Sequence, residues 1–382
     1  MRGARLGVCA IIPYLSRDEN PDAAFSFTGR VRVRYRSLTR RKAGMTKAGA
    51  SKTVTTNDSP DLSHAHDPAQ GAPHVLILMA VWNGADHLQE QLDSFAAQSH
   101  ANWTLWASDD GSDDNSREIL ERFARAHPRT RILEGPGSKG AENFLSLLRA
   151  VPEVEQGQSF IAFSDQDDVW MADKLRNGIA GLSSGPGAED MPPAMYCSTL
   201  VITDSDMSNP RPSPPRPKPA GFRNALVQNI ASGNTTLLNP AAARLVCEAA
   251  HEVPRVVVHD WWVYQLVAGA GGRVVHDDTP SIYYRQHGAN QIGANDTLRA
   301  QFKRIAMLLS GDYRDWNEIN IAALRASRAR LTPENRARLE DFAAMRKAGF
   351  WGRIKQFHRL ALYRQSMIGT LALWLSVVLR RI

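Results

Sequence analysis

The stretch at residues 75–81, Val-Leu-Ile-Leu-Met-Ala-Val, is an uninterrupted apolar run. A run without polar alternation is typical of a strand that is buried on both faces, in a parallel sheet covered by helices. Asn83-Gly84 then predicts a turn, and apolar residues recur at helical spacing at Leu88, Leu92 and Phe95. The stretch is therefore predicted to be the first strand of an α/β domain.

Three further apolar segments follow at residues 103–108, 131–133 and 160–163, and helical patterns separate them. This alternation predicts a doubly wound sheet with helices on both faces. Ser112 or Asp113 is the predicted N-cap of the helix after the second strand. Further strands are predicted at residues 195–202 and 232–238, before a helix at residues 241–250.

Polar side chains follow each of the first four predicted strands. In chain order they are Asn83; Asp109 and Asp110; Lys139 and Asn143; and Asp165, Asp167 and Asp168. In doubly wound sheets, ligands bind outside the carboxyl ends of the strands. The four strand ends therefore predict one shared binding site.

The most acidic of these segments is residues 164–170, Ser-Asp-Gln-Asp-Asp-Val-Trp. Carboxylates at this spacing repel one another unless a cation lies between them, and a hard divalent metal bound through oxygen is the usual solution. The segment therefore predicts a metal-assisted transferase site.

Composition limits the class of protein. The formal net charge is +7 and the pI is near 9.4, which favours an anionic partner, and the basic residues lie mostly at the two ends of the chain. Cys9, Cys197 and Cys247 show no metal-ligand spacing, so we expect a reducing compartment and no disulfide framework or zinc site. The basic residues are not interleaved with aromatics, so nucleic acid is not the expected partner.

The two ends of the chain differ from its centre. Residues 1–72 lack a sustained apolar period and are predicted to be a disordered basic tail. Residues 296–382 are predicted to be a helical extension, and its segment 346–382 is basic and contains no acidic residue. The apolar run at residues 367–379 is shorter than the ~20 residues of a spanning helix, so we expect it to lie on an anionic membrane surface. The alternatives are a helix docked on the domain or an oligomer contact.

Four motifs, in this order and spacing, resemble those of family 2 glycosyltransferases of the rhamnosyltransferase-like branch. They are residues 81–84 (Val-Trp-Asn-Gly), 108–114 (Ser-Asp-Asp-Gly-Ser-Asp-Asp), 164–170, and 259–262 (His-Asp-Trp-Trp). The resemblance implies a GT-A fold, a Rossmann-like mixed sheet with helices on both faces, over residues 73–295.

The loop at residues 207–220, rich in Pro and Arg, is either a mobile loop near the acceptor or a linker.

The resemblance also implies roles for individual residues. The nucleotide-sugar contacts would be Val81, Trp82, Asn83, Asp109, Asp110, Lys139, Asn143, Asp165 and Gln166. Asp167 and His287 would bind Mg²⁺ or Mn²⁺, and Asp260 would be the general base. The acceptor side would comprise Asn234, His259, Trp261 and Trp262. The alternatives are a turn and helix cap for the segment after Asp109, a structural role for His287, and core packing for the tryptophans.

The activity implied is inverting, metal-dependent transfer of a sugar, with rhamnose suggested by the branch, from a nucleoside diphosphate to a surface-polysaccharide or lipid-linked acceptor. The expected location is the cytoplasm, at the inner face of the cell membrane. Residues 135–140 fit the Gly-x-Gly-x-x-Gly dinucleotide pattern but follow the third strand, which argues against a dehydrogenase. The alternative is a non-catalytic nucleotide-sugar-binding scaffold, against which Asp165, Asp167 and Asp260 argue.

Overall fold

The computed structural model describes residues 71–138, 140–183, 191–286 and 312–382. Lys139 and His287, two of the predicted site residues, lie outside these ranges, as does nearly all of the predicted tail at residues 1–72. The extents proposed for the tail, the catalytic domain and the C-terminal extension stay predictions.

Strand β1 (Val75–Val81) lies inside a seven-stranded sheet in the described part of the chain. From one edge to the other, the strands are β10 (Arg273–Asp277), β6 (Ala194–Ser198), β9 (Leu237–Leu238), β4 (Phe160–Ser164), β1, β2 (Trp103–Asp109) and β3 (Thr130–Glu134). β9 pairs antiparallel with both of its neighbours, whereas the other pairs are parallel. The sheet is therefore mixed.

A second, four-stranded sheet lies beside the first in the described ranges. Its strands, in spatial order, are β5 (Val169–Trp170), β11 (Ile282–Arg285), β7 (Val201–Thr203) and β8 (Arg211–Pro212). The helices of the α/β part are α1 (Leu88–Ala96), α2 (Ser116–Ala126), α3 (Gly140–Ala150), α4 (Glu153–Gln156), α5 (Lys174–Ser183), α6 (Phe222–Ala225), α7 (Pro240–Ala250) and α8 (His259–Gly269). The C-terminal helices are α9 (Asp312–Ala326), α10 (Pro333–Lys347), α11 (Phe350–Leu360) and α12 (Met367–Val378).

The side chains of β1 alternate between two hydrophobic clusters, one on each face of the sheet. Val75 and Ile77 pack in the cluster that includes residues of α1 and α2, whereas Leu76 and Leu78 pack in the cluster that includes residues of α3, α7 and α8. This burial on both faces explains the uninterrupted apolar run. The mixed sheet, its two helical layers and the C-terminal helices confirm the predicted GT-A fold class.

Residues 195–202, predicted as one strand, form two strands in different sheets. β6 ends at Ser198, and β7 begins at Val201 in the small sheet. The apolar pattern continues through the break because Leu200 and Ile202 are buried in the same cluster as Tyr196. Hydrophobicity alone therefore does not reveal the change of sheet.

Three other local predictions were wrong. Helix α2 begins at Ser116 with Asn115 as its N-cap, so neither Ser112 nor Asp113 caps it. Residues 232–238 form a 3-10 turn at Gly233–Thr235, and only Leu237–Leu238 is a strand. Within residues 207–220, predicted to lack regular structure, Arg211–Pro212 pairs with β7 at the edge of the small sheet, where proline is tolerated.

Asn239, the N-cap of α7, should contribute more to stability than a simple cap. Its Oδ1 accepts hydrogen bonds from Ala242 N and Ala194 N, both at 2.9 Å, and its Nδ2 donates to Pro192 O at 3.0 Å. Asn239→Ala should lower the free energy of unfolding by about 2–3 kcal/mol, because it removes the cap and leaves buried groups unpaired.

The matched control is Thr332→Ala, because the Thr332 hydroxyl caps α10 through a single backbone amide, that of Asn335. This change should cost about 1 kcal/mol. Urea unfolding followed by circular dichroism measures both variants, and equal costs would contradict the wider role of Asn239.

Candidate active site

The loop that carries Asp165, Gln166, Asp167 and Asp168 connects β4 to β5. β4 belongs to the large sheet, whereas β5 pairs with β11 in the small sheet, so both ends of the loop are fixed. Asp168 is buried, and the other three side chains are partly exposed. The loop therefore presents two carboxylates and one amide at the carboxyl end of β4.

Gln166 joins this loop to the residue that follows β1. Its Oε1 accepts a hydrogen bond from Trp82 N at 2.7 Å, and its Nε2 donates to Trp82 O at 2.9 Å. The Gln166 amide thus pairs with both backbone groups of Trp82, as the backbone of a neighbouring strand would. The Trp82 side chain stays 40% exposed. Gly84 leaves room for the amide, since a Cβ at Gly84 would stand 2.5 Å from Gln166 Cδ.

Asn83 connects the loops that follow β1 and β2. Its φ of 48° lies in the left-handed region, which asparagine enters more readily than most residues. Asn83 N donates to Ser112 Oγ at 3.0 Å, and Asp113 N donates to Asn83 Oδ1 at 2.9 Å. Ser112 and Asp113, the predicted caps, are therefore used to hold these two loops together.

Asp109 and Asp110 are both buried, and their carboxylates accept hydrogen bonds from the loops that follow β2 and β3. Asp109 Oδ1 accepts from Ser112 N at 3.1 Å, and its Oδ2 lies 3.8 Å from Arg117 Nη1. Asp110 Oδ1 accepts from Gly137 N at 2.7 Å, which ties the loop after β3 to the end of β2. The ends of the first three strands thus form one hydrogen-bonded surface.

Val81 and Asn143 lie beneath that surface and are buried. Val81 O accepts from Asp110 N at 2.8 Å, and Asn143 Nδ2 donates to Ser108 O at 3.1 Å. Both residues therefore position the strand ends from within.

Asp260 lies in the first turn of α8, where the helix dipole favours a negative charge. Its Oδ2 accepts from Gly233 N at 3.0 Å, its Oδ1 accepts from Trp261 N at 2.6 Å, and the Asn229 side chain also hydrogen-bonds to it. Burial raises the pKa of Asp260 to about 6, although these hydrogen bonds act in the opposite direction. The carboxylate is thus fixed in place and only moderately acidic.

Electrostatics link Asp260 to the loop after β4. Burial, and then the negative charges of Asp167 and Asp260, raise the pKa of Asp165 to about 7. Contacts link the two segments as well, since adjacent residues of one 3-10 turn, Gly233 and Asn234, donate to Asp260 and to Asp168 respectively.

Asp168 supports the loop from below. Burial, followed by the charges of Asp167 and Asp165, raises its pKa well above the usual value. Asn234 Nδ2 donates to Asp168 Oδ2 at 2.5 Å. Asn234, predicted on the acceptor side, is itself buried and connects the loop to the 3-10 turn that precedes β9.

Arg285 is a buried cation that joins three segments around the loop. Its Nε donates to Asp167 O at 3.1 Å, and its Nη1 donates to Ser205 O at 2.6 Å. Its Nη2 forms an ion pair with Glu90 of α1. The guanidinium therefore holds the backbone of Asp167 in a defined position.

The predicted acceptor-side aromatic residues pack in the interior. The His259 ring stacks on Phe144 with 3.7 Å between ring centroids, and burial lowers the pKa of His259 to about 3, so the imidazole is neutral. Trp261 Nε1 donates to Ala225 O at 2.7 Å, and Trp262 is fully buried. Both indoles therefore lie in the core and can act on an acceptor only through the residues that they support.

Metal ligation rests on a small donor set. Across the ranges that the structure covers, no three His, Cys, Asp or Glu side chains are grouped so as to hold a metal ion. Asp165 and Asp167 nevertheless supply the carboxylate oxygens that Mg²⁺ and Mn²⁺ prefer. His287 lies outside the described residues.

The sequence analysis did not identify Arg285 as a site residue, and it assigned no role in the site to Gly84 or Gly233. A Cβ at Gly233 would stand 2.7 Å from His259 Nε2, so both glycines leave room for motif side chains. For the two glycines, their position beside a polar motif was the sequence signal that could have identified them. Arg285 has no such local signal, because its partner Glu90 is 195 residues away along the chain.

Comparison with known proteins places the first part of this architecture in a family. Residues 76–213 match the model of Glycosyl transferase family 2. The matched segment begins in β1 and ends just after β8, so it contains the loop after β4 but not Asp260.

Two curated relatives and one solved structure illustrate the similarity. The dTDP-rhamnosyl transferase RfbG of Shigella flexneri is 27% identical over 256 residues, which is 62% of this chain and 81% of that protein. The UDP-Glc:alpha-D-GlcNAc-diphosphoundecaprenol beta-1,3-glucosyltransferase WfgD of Escherichia coli is 33% identical over 106 residues, 28% of this chain and 40% of its own length. The mannosyltransferase PcManGT of Pyrobaculum calidifontis, solved with GDP-Man and Mn²⁺, has a TM-score of 0.41 at 16% identity, covering 82% of this chain and 87% of that one.

The contact between Gln166 and Trp82 can be tested through the glycine beneath it. Gly84→Ala should displace the Gln166 amide, because the new Cβ would overlap the flexible end of that side chain. We expect affinity for a nucleoside diphosphate with Mn²⁺, measured by calorimetry, to fall roughly tenfold, since two hydrogen bonds that order the loop are lost.

Gln166→Ala should reproduce this loss without adding a methyl group. Gly352→Ala is the control, because the nearest atom to its Cβ is at 3.6 Å. Wild-type affinity in both Gly84→Ala and Gln166→Ala would show that the contact does not order the site.

Proposed function

We propose that this chain is a family 2 glycosyltransferase, which transfers a sugar from a nucleoside diphosphate donor to an acceptor hydroxyl with inversion at the anomeric carbon. The observation that carries the proposal is that adjacent residues of one 3-10 turn hold Asp260 and the loop after β4, because Gly233 N donates to Asp260 and Asn234 donates to Asp168. This contact would bring the base and the leaving-group site together.

The donor would bind across the ends of β1, β2 and β4. Asn83, Asp109 and Asp110 would face the base and ribose, and Asp165 would lie near the ribose. Their mutual hydrogen bonds support this role, because they hold three loops in a fixed arrangement before the donor arrives. Trp82 offers an exposed ring for stacking. Lys139, by its position after β3, would add a positive charge.

The residues at the end of β4 fit a divalent cation. The charge of Asp167 helps to raise the pKa of Asp165, and a bound Mg²⁺ or Mn²⁺ would relieve that repulsion. When bound, the cation would stabilise the negative charge that develops on the departing diphosphate. We propose Asp167 as the principal ligand, with His287 as a further one. Arg285 would fix the Asp167 backbone.

Asp260 would accept the proton of the attacking acceptor hydroxyl. The oxygen then forms a bond to the anomeric carbon as the bond to the diphosphate breaks, and one direct displacement inverts that carbon. A carboxylate with a pKa near 6 is ionised at neutral pH but remains basic enough to take a proton. The hydrogen bonds from Gly233 N and Trp261 N would keep its orientation.

The finer identity of donor and acceptor is also part of the proposal. The similarity to a dTDP-rhamnosyl transferase over most of that protein's length favours a deoxythymidine diphosphate sugar, with rhamnose as the transferred group. The similarity to an enzyme that acts on a diphosphoundecaprenol-linked sugar favours a lipid-linked or surface-polysaccharide acceptor. Such an enzyme would work from the cytoplasm at the inner face of the cell membrane.

Asp260→Asn tests the base. Transfer should fall a hundredfold or more, whereas donor affinity should stay within about twofold, because the amide keeps the size of the side chain but cannot accept the proton. In the wild type, kcat/KM should decline as pH falls below about 6, since the raised pKa means that Asp260 becomes protonated there.

The folding of this variant is measured alongside. A neutral amide removes the cost of burying an ionised carboxylate, but it keeps only one acceptor oxygen for the two donors Gly233 N and Trp261 N. Circular dichroism should therefore show that Asp260→Asn is folded under the assay conditions. Loss of donor binding in Asp260→Asn would instead assign the residue to the donor site.

Asp167→Asn tests the metal site. Donor binding in the presence of Mn²⁺ should weaken tenfold or more and lose its dependence on the metal, because the principal anionic ligand is gone. Asp173→Asn makes the same charge change at a residue paired with Arg176 and should retain both properties. Calorimetry with and without a chelator distinguishes them, and metal-dependent binding by Asp167→Asn would overturn the assignment.

A further inference from the structure

Large apolar side chains are exposed in one region away from the candidate active site. Of the ten that are exposed in the described ranges, eight belong to α11, α12 and the residue after α12. They are Phe350, Trp351, Met367, Ile368, Leu371, Leu375, Val378 and Leu379. We call this the α11–α12 surface. The other two, Trp82 and Tyr283, lie beside the loop after β4.

Helix α12 is apolar on two opposite faces. Leu373 and Val377 are buried in the core cluster, which also contains Trp262 of α8. Met367, Leu371 and Leu375 recur every four residues on the outward face, where Leu371 is 66% exposed. The inward face therefore accounts for the docking of α12 on the domain, and the outward face is left without a partner among the described residues.

The two helices form an antiparallel pair, so their exposed residues adjoin. The Phe357 and Trp374 rings are 4.4 Å apart, and Arg353 Nη2 donates to Val378 O at 3.2 Å. The start of α11, with Trp351 80% exposed, thus lies beside the end of α12. The exposed apolar groups therefore lie on two adjacent helices.

The charge around this surface identifies its occupant. Residues 346–382 contain no Asp or Glu, and the exposed basic side chains are Lys347, Lys355, Arg359, Arg380 and Arg381. A second copy of the chain would bring the same positive charges into contact, which is unfavourable. An anionic lipid leaflet supplies both a hydrocarbon layer for the apolar groups and phosphate charges for the basic ones.

We propose that the α11–α12 surface lies on an anionic lipid bilayer, with α12 parallel to the membrane plane. None of the helices in the described ranges has the length and apolar character needed to cross a bilayer. The twelve residues of α12 correspond to about 18 Å, well short of the ~30 Å hydrocarbon layer. A helix in the interface satisfies both observations.

The α11–α12 surface is connected to Asp260 through a short segment that is held by hydrogen bonds. Asn224 Nδ2 donates to Tyr363 O at 3.0 Å, and Gln365 N donates to Gln228 Oε1 at 2.8 Å, which ties residues 224–228 to the connection between α11 and α12. Trp261, the residue after Asp260, donates from Nε1 to Ala225 O within that segment at 2.7 Å. Membrane docking would therefore set the orientation of the base. This consequence rests on the proposed function, whereas docking itself does not.

Vesicle binding by the full chain tests the surface. Wild-type protein should bind vesicles that contain phosphatidylglycerol more tightly than vesicles of phosphatidylcholine alone. Leu371→Ser/Leu375→Ser should weaken binding to the anionic vesicles roughly tenfold or more, because two apolar side chains no longer enter the lipid. Arg380→Glu/Arg381→Glu should weaken it to a similar extent and reduce its dependence on salt.

Arg122→Glu/Arg125→Glu on α2 is the matched control, since it reverses two exposed charges elsewhere and should bind like wild type. Basic residues near the N-terminus are the same in the wild type and the three variants, so their contribution to vesicle binding cancels in the comparison. Light scattering reports the oligomeric state, and binding is measured without donor or acceptor, so a failed transfer assay leaves this result intact. The proposal is overturned if the wild type does not prefer anionic vesicles. It is also overturned if Leu371→Ser/Leu375→Ser binds these vesicles as tightly as the wild type does. If that variant binds unchanged but dissociates an oligomer, the surface is an interface between copies of the chain.

Discussion

Repulsion among buried carboxylates is the constraint on which the candidate active site depends. Asp165, Asp167 and Asp168 lie within four residues at the end of β4, and Asp260 at the start of α8 acts on Asp165. Burial raises the pKa of Asp165 and Asp168, and neighbouring negative charges raise it further. The fold must therefore fix these groups with hydrogen bonds, and the site gains stability from any ligand that brings positive charge between them.

The structure meets this constraint mainly with contacts to backbone and buried polar groups, and the buried Lys174 interacts electrostatically with Asp168. Asn234 supports Asp168, Gly233 N supports Asp260, and the Gln166 amide holds the far side of the loop against Trp82. Arg285 contacts the Asp167 carbonyl, so its charge stabilises the loop through the backbone.

Features determined by neighbouring residues were predictable from sequence, and features determined by distant partners were not. The apolar run at residues 75–81 revealed a strand buried on both faces, and the positions of Asp109 and Asp165 at strand ends indicated where the candidate site lies. The pairing of Arg285 with Glu90 left no local trace. The break after Ser198 was hidden, because both halves of the run remain buried in one cluster. Ser112 resembled a helix cap, yet its hydroxyl serves Asn83 instead.

In the proposed function, the strand ends of β1, β2 and β4 bind the donor and Asp260 of α8 acts as the base. Helices α8 and α12 share one hydrophobic cluster, which also contains residues of β1, β2 and β4. The proposed membrane contact at α12 would therefore be coupled to the candidate site through this shared core. An acceptor anchored in the same bilayer would then be held at a set distance from Asp260, which favours a lipid-linked sugar over one diffusing in solution.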